Sequence, residues 1–394
     1  MIRVREVKTK KEQRAFVHFP LRLYKGNEYY VPMFYNGEFD IFKPDYPFNK
    51  VCDTVCFLAL KDGEVVGRIQ GIIQREANEK WDQKRVRFTR FDSIDDVNVA
   101  AALFRRLERW AKEKGMEELA GPLGYSDLER EGLLIEGFDQ PQTFEEQYNY
   151  PYYQRLIEAY GFEKDADWLE HQLRAPEERA DQLVTISQRL LDRFGLTLVQ
   201  AKSNQEIIDK HIQGVFQIVE TAYSGLYGTM PLNQEIIDNY INDFKLILRP
   251  QDLVMLYDSE HRMVAFAMMF PSISEAVRLS KGHITPAFLY RFLRDKKHPR
   301  VMDLGLIGVL PEYEARGVVM VMIGLLVNLL IDSDLDHLET NLILEDNYNM
   351  LNILKHFDKY QNKRRRVFRK KIEADFCQRD QERQDEDNRG LSGR

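Results

Sequence analysis

Cysteine, histidine and long apolar runs are scarce in this chain of 394 residues. Its three cysteines, Cys52, Cys56 and Cys377, are too few for a disulfide framework. Cys52 and Cys56 also lack the two-residue gap of a common zinc or redox pair. The eight histidines are scattered, and the sequence contains no metal-ligand cluster, Walker-type loop or Ser-His-Asp order. We therefore expect free thiols in a reducing cytoplasm and no metal site.

No segment is long and apolar enough to predict a membrane span. The longest apolar run, residues 318–331, has 14 residues and includes Asn328, whereas a span needs about 20. The first residues, MIRVREVKTKKEQ, lack the apolar core of a signal peptide. The net charge of −7 gives no general attraction to nucleic acid or to an anionic membrane. A cytoplasmic protein without a membrane or nucleic-acid partner is expected.

The composition is that of a soluble globular protein, and a mixed α/β pattern of elements occurs twice along the chain. Hydrophobic residues make up 44% and charged residues 30% of the chain, and its length suits two domains. In the first half, Asp62-Gly63 predicts a hairpin turn, and residues 95–115 predict an amphipathic helix. An acidic, glycine-rich loop follows, GPLGYSDLEREGLLIEGF. The predicted division is a first domain at 1–175, a linker helix at 176–195, a second domain at 196–373 and a disordered tail at 374–394.

Residues 301–331 carry the most informative pattern of the second half. They read VMDLGLIGVL, then PEYEARG, then VVMVMIGLLVNLLI, which predicts a buried strand, a tight loop and a buried helix. Such a turn aims backbone N–H groups and the positive end of the helix dipole at one point. The pattern therefore suits a phosphate, although an ordinary strand-loop-helix of an α/β core is the plainer alternative.

The same segment, LGLIGVLPEYEARGVVMVMIGLL, resembles the acyl-CoA-binding motif of the GNAT superfamily of N-acyltransferases. Arg316 and Gly317 match the basic residue and the middle glycine of that motif. Glu314 stands where the family usually has Arg or Gln, and Val319 stands where it has a small residue. The resemblance implies acetyl-CoA or another acyl-CoA as co-substrate. The residues that it places at the cofactor are Val309, Leu310, Glu314, Arg316, Gly317, Val318, Val319, Met320 and Asn347.

The order of elements and further motifs extend this resemblance over roughly residues 15–370. YNYPYYQRLIEAYGF in the first half and LILEDNYNM in the second resemble the end of a GNAT domain. The whole resembles bacterial tandem GNAT-like proteins without an assigned activity. It implies a mixed α/β sheet in two GNAT-like domains. The first half has FDSIDDVNV where a pyrophosphate turn would stand, so the CoA site is expected in the second.

Three residues are candidates for the chemistry. Asp303 lies six residues before Val309, where several GNAT enzymes place a general base, and the even spacing puts both on one face of a strand. A capping role at the strand start is the alternative for Asp303. Glu345 is expected at the mouth of the cleft. Tyr223 is a candidate for an acceptor pocket, although aromatic residues at a helix end more often belong to the core. Leu354 stands where the family often has the tyrosine that protonates the leaving thiolate. Asn347 suits a helix N-cap as well as a CoA contact.

These motifs predict an N-acyltransferase that moves an acetyl or other acyl group from acyl-CoA to an amine of a small molecule or peptide. A catalytically inactive GNAT-fold binding module for a metabolite, peptide or partner protein is the alternative. A third hypothesis is a nucleic-acid-associated regulator that uses the basic run at 363–371. A charged, solvated edge strand is the favoured interpretation of that run.

Overall fold

A mixed β-sheet of 14 strands runs through the residues that this computed structural model describes, 1–178 and 180–373. The strands are β1 (Ile2–Glu6), β2 (Cys52–Lys61), β3 (Glu64–Gln74), β4 (Arg85–Ser93), β5 (Glu118–Gly121), β6 (Leu133–Glu136), β7 (Glu163–Arg174), β8 (Thr197–Val199), β9 (Leu253–Tyr257), β10 (Met263–Pro271), β11 (Val301–Val309), β12 (His337–Thr340), β13 (Ile343–Leu344) and β14 (Asp358–Lys371). The predicted α/β class with a mixed sheet is confirmed.

Helices cover both faces of this sheet. They are α1 (Lys10–Leu23), α2 (Pro47–Val51), α3 (Arg75–Lys80), α4 (Val97–Glu113), α5 (Tyr152–Glu158), α6 (Ala180–Phe194), α7 (Asn204–Glu206), α8 (Ile212–Tyr223), α9 (Gln234–Phe244), α10 (Ser274–Ser280), α11 (Pro286–Lys297), α12 (Pro311–Glu314), α13 (Val319–Asp332) and α14 (Tyr348–Ile353). A π-helical turn (Ile207–His211) and 3-10 turns (Gly37–Phe42, Pro250–Asp252, Leu354–His356) complete the set. Within the described residues, no helix is long and apolar enough to cross a membrane.

Local sequence signals explain the regular elements of the first half. The β2–β3 turn has Asp62 at φ 52° and Gly63 at φ 86°, the left-handed pair that a tight hairpin requires. Helix α4 starts where the Asp96 side chain accepts a hydrogen bond from the amide of Asn98, and Gly115 follows its end at φ 73°. Its apolar stripe is buried against the sheet, so the predicted helix and hairpin are both found.

The two halves repeat one strand plan. In the first half, β1 to β4 are antiparallel neighbours and β5 runs parallel to β4. In the second, β8 to β11 are antiparallel neighbours and β12 runs parallel to β11. Helix α6, from the segment predicted as a linker, packs on α13, and the Ser187 hydroxyl donates to the Val321 carbonyl oxygen at 3.0 Å. The proposed domain boundaries stay a prediction.

The last long strand of each half crosses to the other half. Strand β14 pairs with β5, where Phe368 lies opposite Gly121, and strand β7 pairs with β12, where Leu173 lies opposite Leu338. Between these contacts β7 and β14 are antiparallel neighbours along almost their full length. The strand order is therefore β5-β14-β7-β12 at the centre of one continuous sheet.

This arrangement corrects the interpretation of the basic run as a solvated edge strand. Lys363 and Arg365 are fully buried in β14. The Lys363 ammonium lies 2.9 Å from a Glu170 carboxylate oxygen and 2.6 Å from one of Glu339, and Arg365 Nε lies 2.6 Å from Glu170. Opposite charges neutralise the run inside the sheet, because a buried cation without a partner is costly. The edge-strand interpretation is wrong, and these two cations are not available to nucleic acid.

Substitution of the buried Lys363 tests whether this network of ion pairs stabilises the sheet. We expect Lys363→Met to lower the free energy of unfolding by about 3–5 kcal/mol, because it leaves Glu170 and Glu339 buried without their cation. The loss should shrink at acidic pH, where both carboxylates take up protons. Urea denaturation measures it. The exposed Lys371→Met is the matched control and should change the value by about 0.5 kcal/mol or less. Equal effects at both positions would contradict a buried network.

Candidate functional site

Strands β11 and β12 separate part of the way along the sheet. They are paired from Val301 opposite His337 to Leu304 opposite Thr340. Beyond that point β11 continues beside β10, where Val309 lies opposite Ala265. The edge of β11 that faced β12 is therefore open from residue 305 onward, and a wedge forms between the two strands.

A β-bulge at Gly305 marks the point of separation. Met268 lies opposite Leu306 and Met269 lies opposite Leu304, so Gly305 is the extra residue of β11. A Cβ atom at Gly305 would lie 2.6 Å from the Phe270 ring, which explains why a glycine stands there. The bulge bends β11 and changes the direction of its N–H and C=O groups at the point where the wedge begins.

The predicted residue Tyr223 closes part of this open edge. Its hydroxyl donates to the Ile307 carbonyl oxygen at 2.8 Å and accepts from the Ile307 amide at 3.3 Å. Burial raises the pKa of Tyr223 to about 12, so the hydroxyl is protonated at neutral pH. Tyr223 thus occupies the position that a ligand with amide groups would take along β11.

The predicted cofactor residues form the turn from β11 to α13. The Leu310 amide donates to the Val264 carbonyl oxygen at 2.9 Å and holds the end of β11 in the sheet. The Arg316 amide donates to the Tyr313 carbonyl oxygen at 3.1 Å, and the Gly317 amide donates to that of Glu314 at 2.9 Å. Within this conformation these three amides are already bonded to the chain and do not point at a free anion.

Two residues that depart from the family pattern, Glu314 and Val319, lie at the end of α12 and the start of α13. Glu314 is exposed, and its carboxylate accepts a hydrogen bond at 3.4 Å from the side-chain Nδ2 of Asn349 in α14. Val319 begins α13 and is followed by Met320, whose amide donates to the Gly317 carbonyl oxygen. Val318 is fully buried at the start of that helix. The Glu314 side chain therefore reaches toward the α14 helix that carries Asn347.

A cavity of about 180 Å³ fills the wedge. Its second-half wall comes from residues 304–307 and 340–344, from Asn347 and Met350, and from Tyr223, Leu226, Tyr227 and Thr229. Its other wall comes from the first half and is acidic. The first-half lining residues are Asp127, Leu128, Glu129, Glu131, Glu145, Glu146 and Trp168. The exchange of β7 and β14 brings these two walls together.

Three of these carboxylates lack strong partners. Burial raises the pKa of Glu145 to about 7 against the opposing effect of Arg130, and Glu145 makes no hydrogen bond to any residue in the described ranges. Burial also raises the pKa of Glu131 and of Glu146 well above the usual value. One buried oxygen of each has no hydrogen-bond partner among the described residues. Burial therefore favours the neutral form of these carboxyl groups, and a cation entering the cavity would favour their ionised form.

Asp303 is buried in β11, between Phe270 and Glu339 of the neighbouring strands. Burial, followed by the charges of Glu339 and Glu145, raises the pKa of Asp303 to about 8. One of its oxygens has no hydrogen-bond partner within residues 1–178 and 180–373. Asp303 does not line the 180 Å³ cavity, although the next residue, Leu304, does.

The structure separates the other two predicted residues. Glu345 forms an ion pair with Lys164 at 2.5 Å, and its amide donates to the Asp167 carbonyl oxygen, so it belongs to the surface between the halves. Asn347 caps α14, because its side-chain oxygen accepts from the Met350 amide at 3.1 Å. Unlike Glu345, Asn347 lines the cavity.

Two further cavities adjoin the first. One of about 70 Å³ is lined mainly by apolar residues and shares Gly305, Leu306 and Asn341 with the wedge. The other, of about 270 Å³, lies in contact with helix α1 and the loop at residues 30–48. All three cavities share Leu128 and Glu145. Glu145 therefore lies where an apolar passage meets the acidic chamber.

Sequence comparison finds two similar curated proteins, whereas no family model matches the sequence. Protein YghO of Escherichia coli is 27% identical over 378 residues, covering 94% of this chain and 95% of that protein. A bacterial ceramide synthase of Caulobacter vibrioides is 26% identical over 285 residues, covering 71% of this chain and 72% of that protein.

Structure comparison identifies the fold. A tandem GNAT protein from the clavulanic acid biosynthesis pathway matches over 95% of this chain and 99% of its own, with a TM-score of 0.53 and 11% identity. The glucosamine N-acetyltransferase region of a fungal multi-domain β-N-acetylglucosaminidase matches over 94% of this chain and 38% of its own, with a TM-score of 0.53 and 10% identity. The predicted resemblance is thus confirmed, and the chain has the GNAT superfamily fold in its tandem form.

Proposed function

We propose that this protein is an N-acyltransferase that moves an acyl group from acyl-CoA to an amine. The observation that carries the proposal is the opening of β11 from β12 onto a chamber lined by Glu131, Glu145 and Glu146. An open strand edge suits the extended, amide-containing arm of CoA. An ammonium ion that enters the chamber would favour the ionised form of these carboxyl groups, so the wall suits the ammonium form of an amine.

The donor would lie along β11 with its pyrophosphate at the start of α13. The positive end of that helix and the Arg316 guanidinium, which stacks over Tyr313 at 5.2 Å, supply positive charge there. Because the Arg316 and Gly317 amides are bonded within the turn, binding requires the turn to open or the phosphates to contact other groups. In the same way the acyl-CoA arm would replace Tyr223 at the edge of β11.

In this proposal Glu145 is the general base. The acceptor arrives as an ammonium ion, and ionised Glu145 takes one of its protons. The neutral nitrogen attacks the thioester carbonyl, the C–N bond forms, and the C–S bond breaks to release the thiolate. The thiolate takes up a second proton from the nitrogen through solvent, and the amide product keeps the third. Backbone N–H groups at the bulge would stabilise the negative charge on the carbonyl oxygen.

The apolar cavity favours a substrate with a longer chain than an acetyl group, either on the acyl donor or on the amine. It begins at Gly305 and Leu306, beside the expected thioester, and continues between Phe216, Phe244 and Phe270. One relative is named a bacterial ceramide synthase, and a ceramide is an amide of a fatty acid with a long-chain amine. We therefore propose a fatty acyl group, a long-chain amine, or both as the substrates.

Donor binding is tested at Gly317. We expect isothermal titration to detect both acetyl-CoA and a long-chain acyl-CoA, and Gly317→Val to weaken both about tenfold or more, since φ is 82° at this position. Gly63→Val is the matched control, because Gly63 has φ 86° and, like Gly317, no atom within 4 Å of an added Cβ. If titration with millimolar acyl-CoA gave no heat of binding, the proposal would be wrong. If Gly317→Val and Gly63→Val weakened binding equally, the effect at Gly317 would reflect general backbone strain.

The base is tested by pH profiles. We expect kcat/KM to rise with pH through about 7, because Glu145 accepts a proton only when it is ionised. Glu145→Gln should lower kcat/KM by about 10²–10⁴, remove this limb and leave acyl-CoA binding unchanged. Asp303→Asn is the comparison. A limb near pH 8 that disappears in Asp303→Asn but persists in Glu145→Gln would assign the base to Asp303.

The chain-length proposal is tested on helix α8. Val215 lines the apolar cavity, whereas Val219, equally buried on the same helix, does not. We expect Val215→Phe to lower kcat/KM for a long-chain acyl-CoA about tenfold relative to acetyl-CoA, because the larger side chain fills the passage. Val219→Phe, with similar overpacking, should leave the ratio unchanged. A ratio that shifts equally in both variants would place the chain elsewhere.

A further inference from the structure

Helix α11 exposes apolar side chains that no described residue covers. Leu289, Tyr290 and Leu293 are 46%, 72% and 61% exposed, and Ile284, just before the helix, is 64% exposed. On the opposite face Phe288 is buried against Phe34 and Phe292. The helix is thus fixed by one apolar face and presents a second one to the outside.

The same helix concentrates positive charge in a chain whose net charge is −7. Residues 281–300 carry six basic side chains and one acidic one, Asp295. The basic residues are Lys281, Arg291, Arg294, Lys296, Lys297 and Arg300. Arg294 pairs with Asp295 and Arg300 with Asp336. Lys281, Arg291 and Lys297 have no ion pair among the described residues, so they are free to bind an anionic surface.

The carboxyl-terminal end of α11 lies beside the apolar cavity of the proposed site. The Lys296 ammonium donates to the Leu246 carbonyl oxygen, and Arg249 donates to the Lys296 carbonyl oxygen at 2.7 Å. Leu246 is itself 66% exposed. Its neighbours Phe244 and Lys245 line the apolar cavity. Leu246 therefore connects the carboxyl-terminal end of α11 with the segment that lines the apolar cavity.

We propose that this surface, called here the α11 surface, binds the interface of an anionic lipid bilayer. It consists of Leu246, Ile284, Leu289, Tyr290 and Leu293 with the surrounding lysines and arginines. Helix α11 would lie in the plane of the interface, with its leucines and tyrosine among the acyl chains and its cations at the lipid phosphates. Total charge alone predicts no such attraction, but binding depends on the charge of the face that meets the bilayer.

Two other occupants fit the α11 surface less well. A second copy of the chain would bring its own cluster of cations against the first, and like charges across an interface oppose association. Nucleic acid would pair with the cations but would leave Leu289 and Leu293 without an apolar partner. A bilayer with anionic headgroups satisfies both the charges and the apolar side chains. This inference does not depend on acyl transfer, because vesicle binding requires neither CoA nor turnover.

Vesicle sedimentation with the full chain tests the inference. We expect binding to vesicles of phosphatidylcholine with phosphatidylglycerol, weaker binding to phosphatidylcholine alone, and a decrease with added salt. Arg291→Glu combined with Lys297→Glu should weaken binding roughly tenfold or more. Lys10→Glu combined with Lys11→Glu is the matched control, since it gives the same change in net charge at an exposed position on α1.

The apolar contribution has its own pair of variants. Leu289→Ser should weaken vesicle binding, whereas Leu198→Ser, at a leucine with the same exposed fraction of 46% on β8, should not. No preference for anionic vesicles would overturn the inference. Equal losses of vesicle binding in the two charge-reversal variants would also overturn it. The same holds if a DNA duplex binds as strongly as the vesicles and Leu289→Ser has no effect. Circular dichroism confirms that each variant is folded.

Discussion

The pairing of β7 with β14 is the interaction on which the rest of the structure depends. It joins strands about 195 residues apart in sequence, and their charged side chains lie inside the sheet, where Lys363 and Arg365 meet Glu170. Slipping the register by one residue would turn these side chains to the opposite face and leave buried charges unpaired. The ion pairs therefore specify a register that apolar side chains alone would define less strictly.

This exchange makes the candidate site a product of both halves. The second half provides the wedge and the turn at Gly317, whereas the first half provides Glu131, Glu145 and Glu146. The same burial that favours pairing of Lys363 in the sheet raises the pKa of unpaired Glu145 in the adjoining cavity. The first half, which lacks a pyrophosphate turn in its sequence, thus contributes the acidic groups to which the proposed amine would bind.

Local patterns were sufficient to predict the elements but not their partners. The Asp62-Gly63 hairpin, helix α4 and the strand-turn-helix around Gly317 depend on neighbouring residues, so sequence indicated them. Residues 337–344 are divided into β12 and β13, which pair with β7 at different places, and no local pattern indicates this division. The basic run was misread because its carboxylate partners are distant in sequence. The acidic loop was visible, but only the strand exchange places it opposite Gly305.

The distribution of charge relates the candidate site to the α11 surface. Acidic groups are concentrated in the interior chamber, whereas unpaired cations and exposed leucines are concentrated on α11. The apolar cavity adjoins the chamber and is lined in part by Lys245, the neighbour of the exposed Leu246. A long-chain amine has the complementary order, a cationic head and an apolar tail. If such a molecule reaches the chamber from a bilayer, its head passes beyond the apolar lining to the carboxylates while its tail stays in apolar surroundings. Once bound, both parts are in favourable surroundings, because the charge lies beside the carboxylates and the chain lies among apolar side chains; the charged head is exposed to the apolar lining only while it enters.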